Sequence, residues 1–202
     1  MKVIGLTGSI GMGKSTASAT FRRLGVPVFD ADAAVHRLQG KGGAAVVPIE
    51  AAFPGTTRDG HVDREALRRR VLGDSAAMTR LERIVHPLVR KAERDFRAAC
   101  RRAGQRLAVL DVPLLFETKR QDQVDRVVVV TAPASVQRIR VLRRPGMTED
   151  RLNSILARQT PDAEKRRRAD HVVHTGLSRH AAQRAIRRLV HELRGCDAPG
   201  RP

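Results

Sequence analysis

The sequence predicts an α/β fold, with about five parallel strands in one doubly wound sheet flanked by helices. Three observations carry this. Short apolar runs alternate with stretches of helical spacing. Runs such as Leu107-Ala108-Val109-Leu110 and Val127-Val128-Val129-Val130 are continuously apolar, as suits strands of a parallel sheet covered on both faces. A glycine-rich turn, Gly8 to Gly13, joins the first apolar run to the first helical stretch.

Element by element, Lys2 to Thr7 reads as a buried strand. Ser15 to Leu24 reads as a helix with Ala17, Phe21 and Leu24 on one side, stopped by Gly25. Val26-Pro27-Val28-Phe29 reads as a second strand that ends at Asp30-Ala31-Asp32, and Ala33 to Gln39 as a short helix. From about Ala44 to Gly104 strand-like runs vanish, and this stretch reads as a helical insertion. Asp63 caps one helix there and Asp74 the next, in which Pro87 predicts a kink or break near His86. Leu107 to Asp111 and Asp125 to Thr131 are the third and fourth strands. Ser135–Arg144 and Thr148–Gln159 form a helical hairpin around Pro145-Gly146, followed by a short basic helix from Asp162 to Arg168. His171 to His174 is the last strand. Ser178 caps a final helix to about Arg194, and 196–202 is expected to fray.

The 202 residues, 41% of them hydrophobic, suffice for one ordinary core with a small inserted lobe. No apolar run approaches the roughly 18 residues of a membrane span, and the apolar start of the chain stops too early for a signal peptide. The two cysteines, Cys100 and Cys196, form no metal-binding pattern. A cytoplasmic setting with reduced thiols is expected. The formal charge of +18 suits polyanionic partners or a solvated, Arg-rich surface. With aromatic residues at 2%, stacking platforms for single strands are scarce, so nucleic acid is disfavoured as a partner.

Gly8-Ser9-Ile10-Gly11-Met12-Gly13-Lys14-Ser15 matches G-x-x-x-x-G-K-[ST] in full. Gly8, Gly11 and Gly13 admit backbone turns closed to other residues. The amides from Gly11 through Met12 and Gly13 to Thr16 converge on phosphate at a helix N-terminus. Lys14 bridges β- and γ-phosphates, and the Ser15 hydroxyl is a ligand for Mg²⁺. A strand before the loop and a helix after it are the context the motif requires. ATP-Mg²⁺ is therefore the expected nucleotide. A small-molecule kinase is favoured over a GTPase or a motor, because neither a GTPase base motif nor a second large domain is present.

Asp30 and Asp32 end the second strand, at the sheet edge where ligands of open α/β folds collect. Two apart on an extended strand, they would point the same way. Either could take a proton from an acceptor hydroxyl, cap the Ala33 helix, or pair with an arginine; for Asp32 the functional reading is preferred. Gln137, Arg140 and Arg144 fall at i, i+3 and i+7, on one helix face, while Arg143 lies off it. An arginine from such a lid stabilises charge on a transferring phosphoryl group. Asp111 ends an apolar strand, where a carboxylate holds Mg²⁺ through water or bonds Ser15 or the loop; it is expected beside the metal rather than on it.

Taken in order, Gly5-Leu6-Thr7-Gly8, Asp30-Ala31-Asp32, Leu81-Glu82 with His86-Pro87, Asp111-Val112-Pro113-Leu114-Leu115-Phe116-Glu117, Gln137 with Arg140 and Arg144, Gln159, and Ala169-Asp170 resemble the dephospho-CoA kinase family over essentially the whole length. The resemblance implies a P-loop kinase core (1–40, 105–133 and 169–195), a helical CoA subdomain at about 41–104 and a helical lid at about 134–168. It implies phosphorylation of the ribose 3′-hydroxyl of dephospho-CoA, the last step of CoA synthesis. Asp32 would be the catalytic base and Arg140 the lid arginine, with Arg144 second and Lys14 on the phosphates. Thr7, Asp32, His86, Pro87, Leu115 and Glu117 would line the acceptor site. On the residues alone, His86-Pro87 could instead be packing at a helix break, Leu115 plain core and Glu117 a surface acid. The partners implied are small molecules, ATP and dephospho-CoA; whether the chain is a monomer or a small homo-oligomer stays open. The sequence departs from the family pattern at Pro145, where an Asp is common, at His174-Thr175-Gly176 in place of Asn-x-Gly, and at Leu72 in place of Phe.

Overall fold

The computed structural model describes residues 1–195; the predicted frayed tail, 196–202, lies outside them. The chain divides into two compact units, Met1–Phe29 with the chain from Cys100 onward, and Asp30–Ala99.

The first unit is built on a five-stranded sheet: β1 (Lys2–Thr7), β2 (Val28–Asp30), β5 (Leu107–Asp111), β6 (Arg126–Thr131) and β7 (His171–His174), in the order β2-β5-β1-β6-β7. β1 lies parallel between β5 and β6, with Gly5 opposite Leu110 on one side and Val127 on the other, and β7 extends the sheet parallel to β6. The central strands are apolar and buried at successive positions, as befits strands of a parallel sheet covered on both faces. α1 (Lys14–Arg23) and α9 (Arg179–Gly195) bring Ala17, Phe21, Ile186, Leu189 and Val190 onto Ile4, Leu6, Val109 and Val128 to form the main core. Ser178 caps α9, as expected, accepting the Ala181 N–H at 3.0 Å. Between β6 and β7 run α6 (Ala134–Leu142), α7 (Glu149–Ala157) and the short α8 (Asp162–Arg167). Gly146, at φ +72°, makes the turn between α6 and α7. Cys100 is a free, buried thiol at the start of the returning chain, and burial pushes its pKa up.

In the second unit the sequence reading needs correcting. Asp32 is not on a strand. β2 stops at Asp30, and α2 (Ala31–Gln39) begins at once, with Asp30 as its N-cap accepting the Ala33 N–H at 2.9 Å. The two aspartates therefore do not share a strand face: Asp30 is a cap and Asp32 stands exposed in the first helical turn. α3 (Val46–Ala52) follows; Pro48 fits its first turn, where a missing N–H costs nothing. A small antiparallel hairpin, β3 (Thr57–Arg58) and β4 (His61–Val62), was not expected. Its turn residues Asp59 and Gly60 both have positive φ (49° and 77°), the type I′ geometry that an Asp-Gly pair favours.

Asp63 caps α4 (Arg64–Val71) through the N–H groups of Glu65 and Ala66, and Asp74 caps α5 (Ser75–Arg102) through Ala76 and Ala77. The predicted break near His86 does not occur: α5 is one helix with Pro87 inside it. Proline removes one N–H, and the rest of the helix is held by Leu81, Ile84, Val85, Leu88 and Val89 on the second core, with Ile49, Phe53, Val62 and Leu67.

Candidate functional site

The loop from β1 to α1 is shaped by sterics before any charge is considered. Gly11 and Gly13 sit at φ +77° and +88°, the left-handed region that residues with a Cβ avoid. Gly8 has ordinary φ but no room: a Cβ there would meet the Val130 carbonyl oxygen at 2.7 Å. Gly13 is the N-cap of α1. No side chain caps that helix and no acidic residue occupies its first turn, so its positive end is left for an external anion.

Lys14 and Ser18 lie one turn apart on α1 and converge on the buried Asp111, whose two carboxylate oxygens accept one bond from each. Ser15 stands exposed beside them and does not bond Asp111. For Mg²⁺, the donors present are the hydroxyl of Ser15 and, at the end of β5, the carboxylate of Asp111. Hard oxygen ligands, few of them from protein, are what this ion takes when phosphate and water fill the other positions; the residues fit it.

Arg140, on α6, donates to the Gly11 carbonyl at 3.4 Å, to Thr175 Oγ1 at 3.1 Å and to the Thr175 carbonyl at 2.7 Å. In this structure it braces the phosphate loop against the exit of β7. Arg144 is exposed. A cleft of about 420 Å³ opens beside the loop, lined by Met12, Ala132, Gln137, Asp162, Arg166 and His174 among others.

Three residues assigned to the acceptor have other engagements. Thr7 is fully buried and donates to the Pro113 carbonyl at 3.0 Å. Leu115 is 1% exposed and packs on Gly5; its neighbour Leu114 is the exposed one, at 41%. Glu117 lies 2.9 Å from the ammonium of Lys165, a residue with no exposed surface, and accepts the Thr160 N–H at 2.8 Å. Burial would raise the Glu117 pKa, but Lys165 and the neighbouring amides outweigh it and hold the carboxyl below its usual range. Asp32, His86 and Pro87 all belong to the second unit and are exposed. There, Thr79, Glu82, Arg83, His86, Pro87 and Arg90 surround a notch of about 300 Å³ on α5.

Sequence reasoning missed Ser18, Thr175 and Lys165. Ser18 had a signal, since it lies four residues past Lys14 on the same helix face. Thr175 and Lys165 had none, because their partners are remote in sequence.

The chain matches the family described as dephospho-CoA kinase over residues 2–179. The chain belongs to the dephospho-CoA kinase family. It is similar to a dephospho-CoA kinase of Mesorhizobium japonicum, 58% identical over 195 residues and covering 96% of this chain and 98% of the relative. A dephospho-CoA kinase of Paramagnetospirillum magneticum is 64% identical over 166 residues, 82% of this chain and 78% of that one. Among solved structures, a protein of Thermus thermophilus is 33% identical, with a TM-score of 0.80 over 95% of this chain and 97% of its own. The parallel-sheet P-loop kinase architecture is thus that of the family.

Proposed function

We propose that this chain transfers the γ-phosphoryl group of ATP to the ribose 3′-hydroxyl of dephospho-CoA, giving coenzyme A and ADP. The observation that carries the nucleotide half is the uncapped, acid-free N-terminus of α1 behind a glycine loop, with Lys14 and Asp111 beside it. Membership of the family supports the acceptor half.

In this reading the amides from Gly11 to Thr16 hold the β-phosphate and Lys14 exchanges Asp111 for phosphate oxygens. Ser15, with Asp111 beside it, would hold Mg²⁺, which when bound would supply positive charge against the phosphates. Asp32 accepts the proton of the 3′-hydroxyl as its oxygen bonds to the γ-phosphorus. The bond from that phosphorus to the bridging oxygen breaks, and the electron pair leaves with ADP. Arg140, released from Gly11 and Thr175, stabilises the charge spread over the transferring group, and Arg144 follows it. His86 and Pro87 belong to the acceptor side. Thr7, Leu115 and Glu117 are kept on the acceptor side by the family resemblance, each held in its own unit by the bonds and packing described above. The substrates are small molecules, and a cytoplasmic setting is part of the reading; among the described residues no helix is long and apolar enough to cross a membrane.

A coupled assay for ADP release tests this, with dephospho-CoA, AMP, adenosine and shikimate offered in turn as acceptors. Dephospho-CoA should be preferred by orders of magnitude in kcat/KM. A preference for any of the others would transfer the chain to another small-molecule kinase activity.

A further inference from the structure

The backbone carbonyls of Ile10, Gly11 and Met12 follow one another in the phosphate loop, and each accepts a hydrogen bond from a side chain far away in sequence. Gln137 Nε2 donates to the Ile10 oxygen at 2.7 Å, Arg140 to the Gly11 oxygen at 3.4 Å, and Thr175 Oγ1 to the Met12 oxygen at 2.7 Å. Gln137 and Thr175 are buried, at 6% and 8% exposure. The peptide entering this run is held as well, since the Ile10 N–H donates to Gln159 Oε1 at 3.2 Å.

A trans peptide is planar, and its C=O and N–H point in opposite directions. Fixing the Ile10 carbonyl on Gln137 therefore turns the Gly11 N–H the other way. Fixing the Met12 carbonyl on Thr175 does the same for the Gly13 N–H. Gly11 and Gly13 have φ of +77° and +88°, and glycine moves readily between basins. Without a brace, a loop of this composition would spend time in peptide orientations that direct carbonyl oxygens, rather than amides, at an anion.

We infer that Gln137 and Thr175, with Gln159 on the entering peptide, are positioning residues that orient the loop amides for the nucleotide by gripping the loop's carbonyl side. Thr175 fits this part in detail. Its hydroxyl has one proton, directed to Met12 at 2.7 Å with the Thr131 carbonyl farther away at 3.2 Å, and it accepts from Arg140 at 3.1 Å. When Arg140 leaves for the phosphates, Thr175 retains its own bond to the loop. Gln137 opens the lid segment and Gln159 closes its helical hairpin, so the base of the lid and the phosphate loop share one hydrogen-bond network. The residue after Gln159 is anchored in turn, its N–H on Glu117 beside Lys165.

The inference rests on the nucleotide half of the proposed function, and its test does not need the acceptor. Binding of ATP and of dephospho-CoA is measured separately by calorimetry for wild type and for Thr175→Val, Thr175→Ser and Gln137→Glu, alongside melting temperatures. Thr175→Val keeps the shape and removes the donor; Gln137→Glu places a carboxylate against a carbonyl. Both should weaken ATP binding about tenfold or more, the scale of a lost buried hydrogen bond, and leave dephospho-CoA binding within about twofold. Thr175→Ser should restore ATP binding. Wild-type ATP affinity in Thr175→Val and Gln137→Glu would overturn the inference. So would equal losses for both ligands with a fall in melting temperature, which would mark a merely structural part. A wild-type protein that binds ATP but does not phosphorylate dephospho-CoA would refute the acceptor reading and leave this comparison intact.

Discussion

Asp32 is the residue on which the proposed chemistry turns, and its place in the first turn of α2 affects what a substitution does. Because Asp30, not Asp32, caps that helix, Asp32→Ala leaves the cap in place. We expect turnover to fall by roughly 10²–10⁴, the usual contribution of a general base, with ATP binding and the circular dichroism spectrum unchanged. Steady-state rates near wild type would remove Asp32 from the reaction. Gly8 makes a different prediction. Its φ is ordinary, so Gly8→Ala strains no dihedral, yet the new methyl would meet the backbone oxygen of Val130. Backbone cannot swing aside as a side chain can, so overpacking of about 1–3 kcal/mol is expected, read as a shift in the denaturation midpoint. At this scale the sequence was most legible where a motif dictates backbone shape, as at Gly11 and Gly13. It was least legible where a side chain's partner lies far along the chain. Nothing local to Thr7, Leu115 or Glu117 announces that one bonds Pro113, one packs on Gly5 and one neutralises a buried lysine.

Among the elements, α8 is short and attached through a buried charge. Lys165 has no exposed surface, and its ammonium rests on Glu117. Lys165→Met should destabilise by about 3–5 kcal/mol, because it leaves a largely desolvated carboxylate without its cation. The double variant Lys165→Met/Glu117→Gln should recover part of that loss. The sign with pH follows from the direction of the Glu117 shift. Its folded pKa lies below the ordinary value, so the pair's stabilisation is complete above about pH 5 and is lost as pH falls through the folded pKa. The stability difference between wild type and Glu117→Gln should therefore shrink on acidification; a constant difference from pH 7 to pH 3 would contradict the pairing. Helices announced by a capping side chain, those after Asp63, Asp74 and Ser178, were legible in the sequence. The hairpin at Thr57–Val62 was not, since strands of two residues show no periodicity, although Asp59-Gly60 carries its turn signal. Pro87 misled in the opposite direction, because packing on the second core outweighs one missing hydrogen bond.

For the molecule as a whole, the α/β class was readable because buried parallel strands must be continuously apolar. The division into compact units after Phe29 and after Ala99 was not, because compactness is a property of contacts and not of composition. The formal charge of +18 is likewise a whole-molecule property. Both proposed substrates carry pyrophosphate, so kcat/KM should fall as ionic strength rises from about 0.02 to 0.5 M while kcat changes little, as expected for steering that salt screens. An RNA-stimulated ATPase activity would point to a different partner for the charge.

Cys100 equips the chain with an internal clock. Its thiol is buried and its pKa raised, so a maleimide cannot react until the junction of α5 with the returning chain opens. With Cys196 replaced by serine, the alkylation half-time at Cys100 becomes a direct reading of how often that junction opens. Bound ATP should lengthen it if the nucleotide stabilises the unit to which Cys100 belongs.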